Sequence, residues 1–374
     1  MIKKIIFAFA ILLIQTNFSA AKDVVVKDVL GRSITFNKPV SKIILGEGRY
    51  LTTIALLDKE NPIERVVGML NPLSHTNPVL ENKLKDKFPA YNKIQYFGLQ
   101  NADSVSAEKI ISLQPDLAIF GVQDHGPGAK NKELIGQLEK AGVKIIFIDF
   151  RMNPFENTVP SIKALGLALG REKNASKYIE FYNTRLQKIK DRVASFKGKK
   201  PSVFLQAHIG RFDCCVGMGR GMLGPFIGLV GGDNITTPVA PGPTGVHSME
   251  FLLEKNPDVW IGTVSGTLAE FKSGKAIPVL GPTSSPELAQ SSLKRALSAA
   301  TYQSLKAVQS GRAHGIWHNY YNSPFNIVAI ESFAKWIHPE LFKDFSPEKT
   351  MTEIYEQFLI FKLDGTYLTT LKAG

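Results

Sequence analysis

Two hydrophobic patterns succeed each other along this chain: short unbroken apolar runs, and longer stretches whose apolar positions recur at helical spacing. The runs at 42–45, 65–69, 117–120 and 143–148 predict strands. Helices are predicted between them at 50–57 and 133–141, the second stopped by Gly142. The run at 143–148 is apolar at nearly every position, as in a parallel sheet covered on both faces. Strand and helix in alternation imply βαβ units.

The pattern changes at 174–196, a stretch without glycine or proline. Its apolar residues, Tyr178, Phe181, Tyr182, Leu186, Ile189 and Val193, fall near helical spacing. A helix of about 22 residues spans about 33 Å, enough to cross from one lobe to another. Gly198-Lys199-Lys200-Pro201 ends it, and the alternation resumes with strands at 202–206, 259–262 and 315–317 and a helix from Ser323-Pro324 to about 337. The fold class expected is α/β, with two similar Rossmann-like lobes whose parallel sheets are joined by one long α-helix. The divisions are 1–21 (signal peptide), 22–153 (N-terminal lobe), 154–198 (linker with the long helix) and 199–374 (C-terminal lobe). A helix without Pro or Gly bends little, so lobe closure should be small.

One phrase occurs twice. Ser106, Glu108, Ile110, Ile111, Pro115, Asp116, Leu117 and Ile119 are matched by Ser248, Glu250, Leu252, Leu253, Pro257, Asp258, Val259 and Ile261, 142 residues further on. Each copy reads as a short helix, a Pro-Asp turn and a buried strand. The separation exceeds any solenoid period and points to two lobes.

The N-terminus sets the compartment. Lys3 and Lys4 precede an apolar run from Ile5 to Ile14, and Ser19, Ala20 and Ala21 offer small residues for cleavage. That is the layout of a secretory signal peptide. The run is too short for a permanent span, and no cysteine lies near the cleavage site, which argues against a lipoprotein. The mature chain is expected to be soluble, periplasmic and monomeric. With 374 residues, 44% apolar and 21% charged, it has the composition of a folded globular protein. The formal charge of +12 suits an anionic ligand or a solvated basic surface. No basic run is interleaved with aromatics, so nucleic acid is not an expected partner.

Taken together, the chain resembles the periplasmic substrate-binding proteins that feed ABC importers for iron–siderophore complexes, haem and cobalamin, in the class whose lobes are joined by one helix. The likeness is carried by Asp28-Val29-Leu30-Gly31-Arg32, Arg65-Val66-Val67-Gly68, both copies of the repeated phrase, Gly231-Gly232-Asp233-Asn234 and Asn322-Ser323-Pro324. It implies an ABC permease as partner, with Glu108 and Glu250 as the acidic residues that dock onto permease arginines. Local helix capping is the other role open to those two glutamates. It also implies a ferric siderophore as cargo, with no resident cofactor, since the iron arrives in the ligand.

Ligands of open α/β sheets bind beyond the carboxyl ends of the strands. The residues that follow the predicted strands are Arg49, His125, Arg151, Arg211, His318 and Tyr320. Arginine forks suit carboxylate or catecholate oxygens, and aromatics can stack on a ligand ring. Trp317 falls in the same region.

Cys214 and Cys215, the two cysteines, are adjacent; a vicinal disulfide, two thiols and a bridge to another chain are all open. They lack the further ligands of a zinc site. Gly217-Met218-Gly219-Arg220-Gly221 lacks the Gly-Lys-Ser/Thr of a phosphate loop and reads as a turn into a helix at Pro225. There is no H-E-x-x-H and no G-x-S-x-G, so an enzyme is not expected. His314 and His318 are four apart, but a strand between them would separate them. The alternatives are a zinc or manganese carrier using His75, His125, His208 and His247, and, less favoured, a secreted metal-dependent hydrolase.

Overall fold

The computed structural model of the chain describes residues 23–98, 101–212 and 214–372. The predicted signal peptide, 1–21, lies outside the described residues. An antiparallel hairpin, β1 (Val24–Lys27) and β2 (Ser33–Phe36), opens the chain. The first lobe then lays down β3 (Ile43–Leu45), β4 (Val66–Met69), β5 (Gln95–Tyr96), β6 (Leu117–Gly121) and β7 (Lys144–Ile148). They form one wholly parallel sheet in the order β5-β4-β3-β6-β7. The second lobe contains β8 (Ser202–Gln206), β9 (Val216–Met218), β10 (Asp233–Asn234), β11 (Thr244–Val246), β12 (Val259–Val264), β13 (Ala313–Trp317) and β14 (Leu368–Thr370). Its centre is parallel, with β12 between β8 and β13 and β10 beside β8. Antiparallel strands extend it: β9 and β11 at one edge, β14 at the other. The α/β fold with two sheets, one per lobe, is the expected one; the antiparallel additions were not foreseen, because three-residue strands carry little periodicity.

Burial explains the apolar runs. Every residue of β6, β12 and β13 is buried, as helices on both faces of a parallel sheet require.

The repeated phrase folds twice into one unit. Ser106 caps the helix Ala107–Ser112, its Oγ accepting from the Lys109 N–H at 3.1 Å. Ser248 caps Met249–Lys255 in the same way, accepting from the Phe251 N–H at 3.2 Å. Each helix leads to a left-handed residue just before the Pro-Asp turn, Gln114 at φ 51° and Asn256 at φ 37°. The aspartates then tie down the start of the neighbouring strand. Asp116 accepts from the N–H groups of Ser41 and Lys42, both at 2.9 Å, ahead of β3. Asp258 accepts from the Ser202 N–H at 2.7 Å and its hydroxyl at 2.8 Å, at the start of β8. The phrase is thus a hydrogen-bonded staple between adjacent strands, built once per lobe.

The segment 154–198 holds two helices. Pro154–Leu169 packs on β7 and β1, within the first lobe. Glu172–Ser195 is the long crossing helix, and at 24 residues it is about 36 Å long. At its start the Asn174 amide donates to the Leu57 carbonyl at 2.7 Å and Arg171 pairs with Asp58, both in the first lobe. Further along, the Tyr178 hydroxyl donates to the Pro324 carbonyl at 2.6 Å and Tyr182 to Asn326 Oδ1 at 2.9 Å, both in the second. Arg185 pairs with Glu353, and Arg192 bonds Asp344 through both guanidinium nitrogens. Among the described residues, no helix is long and apolar enough to cross a membrane.

Burial works against the charged form of Asp116, yet the Lys38 ammonium and the Ser41 donors hold its carboxyl well below the usual range. Its stabilising contribution is therefore present above the unfolded-state pKa near 4 and is lost as pH falls below that. Asp116→Ala is expected to cost about 2 kcal/mol at pH 7, the value of hydrogen bonds to a charged group, and visibly less at pH 3. Urea unfolding at the two pH values measures this; an equal loss at both would refute the electrostatic account.

Candidate functional site

The carboxyl ends of the two sheets face each other across a cavity of about 420 Å³. The first lobe contributes Arg49, Ser74, His75 and His125; the second contributes His208, Arg211, Ser265, Trp317, His318 and Tyr321. Four of the chain's seven histidines therefore line one space.

Beneath Arg49 lies a buried charge cluster. Glu47 is buried at the end of the turn after β3, where its Oε2 meets Arg49 Nε at 3.0 Å and its Oε1 meets His125 Nδ1 at 2.7 Å. Asn322, from the other lobe, donates its amide to Glu47 Oε2 and to Asp124 Oδ1, each at 2.7 Å. The Tyr50 hydroxyl donates to Asp124 Oδ2. Gly121 makes that approach possible, because a Cβ there would run into both Asp124 and the Tyr50 oxygen. Burial, with the Glu47 carboxylate beside it, pushes the Asp124 carboxyl up to about 6. Burial opposes the Glu47 charge too, but Arg49 and His125 hold Glu47 below its ordinary value. Glu47, Asp124 and His125 place one ligand atom each within 4.8 Å of one another, a spacing that suits a cation. Both carboxylates are already matched by donors and by guanidinium groups, since Arg151 Nη1 stands 3.7 Å from Asp124. The cluster fits a charge-balanced floor better than a metal site.

The opposite wall is neutral. The His208 and His318 rings lie against each other, centroids 3.7 Å apart and planes tilted by 34°. His208 Nδ1 meets Ser265 Oγ at 2.9 Å, and His318 Nδ1 meets Thr263 Oγ1 at 2.9 Å. Among the described residues neither Nε2 has a hydrogen-bond partner. Burial, then the Arg211 charge, lowers His208 to about 4. Burial, then its His208 neighbour, holds His318 well below its ordinary value.

The six strand-end residues expected to touch a ligand have unequal fates. Arg49, His125, Arg211 and His318 line the cavity. Arg49 lies over the Tyr321 ring at 4.9 Å, and its buried Nη1 has no hydrogen-bond partner among the described residues. Arg211 is engaged twice, with both nitrogens on Glu270 at 3.0 Å and its Nε on Ser265 at 2.9 Å. Arg151 sits below the cavity, donating to the Gln123 carbonyl at 3.1 Å. Tyr320 is a correction: it is fully buried, against Trp317 and Tyr367, and does not reach the cavity. The turn His318–Tyr320 is a 3-10 helix, which rotates each residue by a third of a turn. Tyr320 consequently faces inward and Tyr321 takes the place over Arg49. Of the histidines weighed for a metal carrier, His75, His125 and His208 line the cavity, whereas His247 stacks on Phe251 elsewhere. His314 stacks on Trp336, away from His318.

Glu47, Asp124 and Asn322 were missed as site residues. Each adjoins a residue or motif the sequence singles out, but only the fold shows that they meet. The cysteines, Cys214 and Cys215, are bonded to each other in the loop between β8 and β9. The glycine-rich stretch after them completes β9 at Met218 and then turns into the helix Gly224–Leu229. Glu108 and Glu250 are exposed in the first turns of their capped helices.

This two-lobed architecture with an interlobe cavity is that of a solute receptor. The chain belongs to the periplasmic binding protein family, whose model matches residues 64–314. Among curated proteins no sequence matches. Among solved structures, the TroA-like periplasmic binding protein FepB from Veillonella parvula is similar at 25% identity, with 93% of this chain and 100% of that one covered and a TM-score of 0.81. The molybdate periplasmic binding protein MolA of Haemophilus influenzae shares the fold at 14% identity (91% and 99% covered, TM-score 0.64). So does a protein of an Fe3+-hydroxamate transport system from Saccharomonospora viridis, at 18% identity (84% and 99%, TM-score 0.55). Proteins of this family serve ABC transporter permeases.

Removing Glu47 would leave Arg49 and Arg151 facing an uncompensated surplus of positive charge in a buried site. Glu47→Ala is expected to destabilise the protein by about 3–5 kcal/mol, the range for a broken buried pair, measured by thermal or urea unfolding. A loss below about 1 kcal/mol would contradict the charge-balanced floor. In nitrogen NMR the His208 ring should remain a neutral imidazole down to pH 5 and gain its proton near pH 4; protonation near 6.5 would contradict its burial.

Proposed function

We propose that this protein captures an anionic metal chelate, of the ferric siderophore class, in the interlobe cavity and delivers it to an ABC permease. The observation that carries the reading is the placing of one arginine with an unmet donor and two neutral imidazoles around a single space. Arg49 lines the cavity with a buried donor that lacks a partner, and a buried donor left unmade is costly unless a ligand meets it. His208 and His318 present unprotonated rings, the form in which imidazole binds a metal. An anionic shell around a metal centre would satisfy both walls at once. The cargo named for two relatives, molybdate in one and an Fe3+-hydroxamate in the other, shares the negative shell or the metal. On this reading Arg211 supports the wall more than it holds the ligand, because all three of its guanidinium nitrogens are already bonded to Ser265 or Glu270.

The signal-peptide reading of 1–21 belongs to the same proposal, as does docking through Glu108 and Glu250. A carboxylate in the first turn of a helix is favoured by the helix dipole, and the Ser248 hydroxyl helps hold Glu250 below its ordinary pKa. Both are exposed on the surface of their lobes. A second reading, direct capture of a divalent metal, is favoured by the four histidines of the cavity.

The test is quenching of tryptophan fluorescence by ferric hydroxamates, ferric catecholates, haem, cobalamin, molybdate and zinc. Trp317 lines the cavity, so Trp317→Phe should remove most of the response. A ferric chelate is expected to bind, and Arg49→Ala to weaken it about ten- to a hundredfold, the equivalent of one desolvated charged contact. Arg211→Ala should have the smaller effect. Tight zinc binding with no response to any chelate would replace this reading with the second one.

A further inference from the structure

The excess positive charge is not spread evenly over the molecule. Residues 154–200 hold 11 Lys and Arg against 4 Asp and Glu, whereas residues 201–374 hold 14 of each. Within that segment the charge gathers at the far end of the crossing helix, where Lys188, Lys190, Lys197, Lys199 and Lys200 fall in a run of 13 residues. The helix ends at Ser195. At helical rise up to that point and full extension beyond it, the five lie within about 30 Å of one another. All five are exposed, and among the described residues none is paired with a carboxylate. The nearby acids are taken: Asp191 accepts from the Gln187 amide at 2.7 Å, and Asp344 is bonded by both guanidinium nitrogens of Arg192. A helix C-terminus favours cations in its last turn, which accounts for Arg192. Lys197, Lys199 and Lys200 lie beyond it. Phe196, the one aromatic of the run, turns inward against His338, with ring centroids 4.4 Å apart. Pro201 leads into β8, whose other end reaches His208 at the cavity. Five residues of strand put about 17 Å between the two ends, so the lysines occupy the face of the second lobe turned away from the cavity.

We propose that this face rests on anionic phospholipid at the surface of the membrane that bounds the periplasm, with the cavity directed away from the lipid. The occupant follows from charge complementarity and from residue type. Lysine is a hydrated point charge on a flexible stem, suited to a field of headgroups, whereas a defined phosphate or carboxylate site favours arginine forks. A protein partner would call for apolar or aromatic anchors, and 188–200 exposes no large apolar side chain. Lysines near an anionic lipid surface add up, each worth about fivefold in partition. The contact is therefore reversible, and it holds the protein near the membrane while leaving the cavity open for loading. The inference does not depend on which cargo the cavity takes.

Co-sedimentation of the exported, purified chain with vesicles tests this. Vesicles of phosphatidylethanolamine with about one-third phosphatidylglycerol should bind it at about 50 mM salt and release it at about 500 mM, where exposed charges are screened. Phosphatidylcholine vesicles should not bind it. Glutamine at positions 188, 190, 197, 199 and 200 should lower the partition more than a hundredfold. A second variant removes the same charge from the first lobe, with glutamine at Lys93, Lys109, Lys130, Lys132 and Lys140, all exposed; it should lose less than about tenfold. Urea midpoints check that both variants are folded. On the unaltered chain, a photoactivatable phosphatidylglycerol should label peptides within 188–200. No binding to the anionic vesicles, or binding that survives high salt, would overturn the proposal. Equal losses from the two variants would assign the effect to net charge and overturn it as well. So would labelling confined to the cavity rim at 74–78 or 265–267.

Discussion

The buried carboxylate of Glu47 is the interaction on which the cleft depends. It accepts from Arg49 and His125 of its own lobe and from Asn322 of the other. One group therefore positions the cavity's cation, orients a histidine and joins the lobes. A buried charge is tolerable only when its partners are in place, so these three residues are constrained together. The same logic explains the raised Asp124 carboxyl: two acids this close in the interior do not both ionise freely.

The alternation of strand and helix was readable because β6, β12 and β13 are buried on both faces and so are mostly apolar, with Thr263 and His314 as the polar exceptions. The long helix was readable from its periodicity and lack of Pro and Gly. The repeat was legible as eight matched residues, but its meaning was only half visible. Glu108 and Glu250 were open to two roles, docking and capping, and in the structure it is Ser106 and Ser248 that cap the two helices. Asp116 and Asp258 gave no hint that they pin the start of β3 and β8, since the atoms they bind lie 75 and 56 residues away.

At the site, position after a strand identified Arg49, His125, Arg211 and His318 as cavity residues. It failed at Tyr320, because direction after a strand depends on the turn that follows, and a 3-10 turn shifts the facing residue by one. It also gave no measure of pairing. Arg49 and Arg211 look equivalent in the sequence, yet one keeps an unmet donor and the other is closed off by Glu270. Charge neutralisation is a long-range property that no local pattern records. The neutrality of His208 and His318 belongs to the same class, since it arises from burial that the completed fold creates.

The way the lobes are held bears on how a permease could sense the cargo. Besides the crossing helix, the lobes touch through Asn322, through the Met222 N–H on the Arg151 carbonyl at 2.7 Å, and through Asn319 on the Thr76 carbonyl at 3.0 Å. A wide hinge motion would break all of these, including the Asn322 bonds to the Glu47 and Asp124 carboxylates, each such bond to a charged group being worth about 1.5–3 kcal/mol. The helix adds its own restraint, with Asn174 fixed to one lobe and Tyr178 and Tyr182 to the other within little more than two turns. Lobes tied in this way favour a small relative displacement over a wide one.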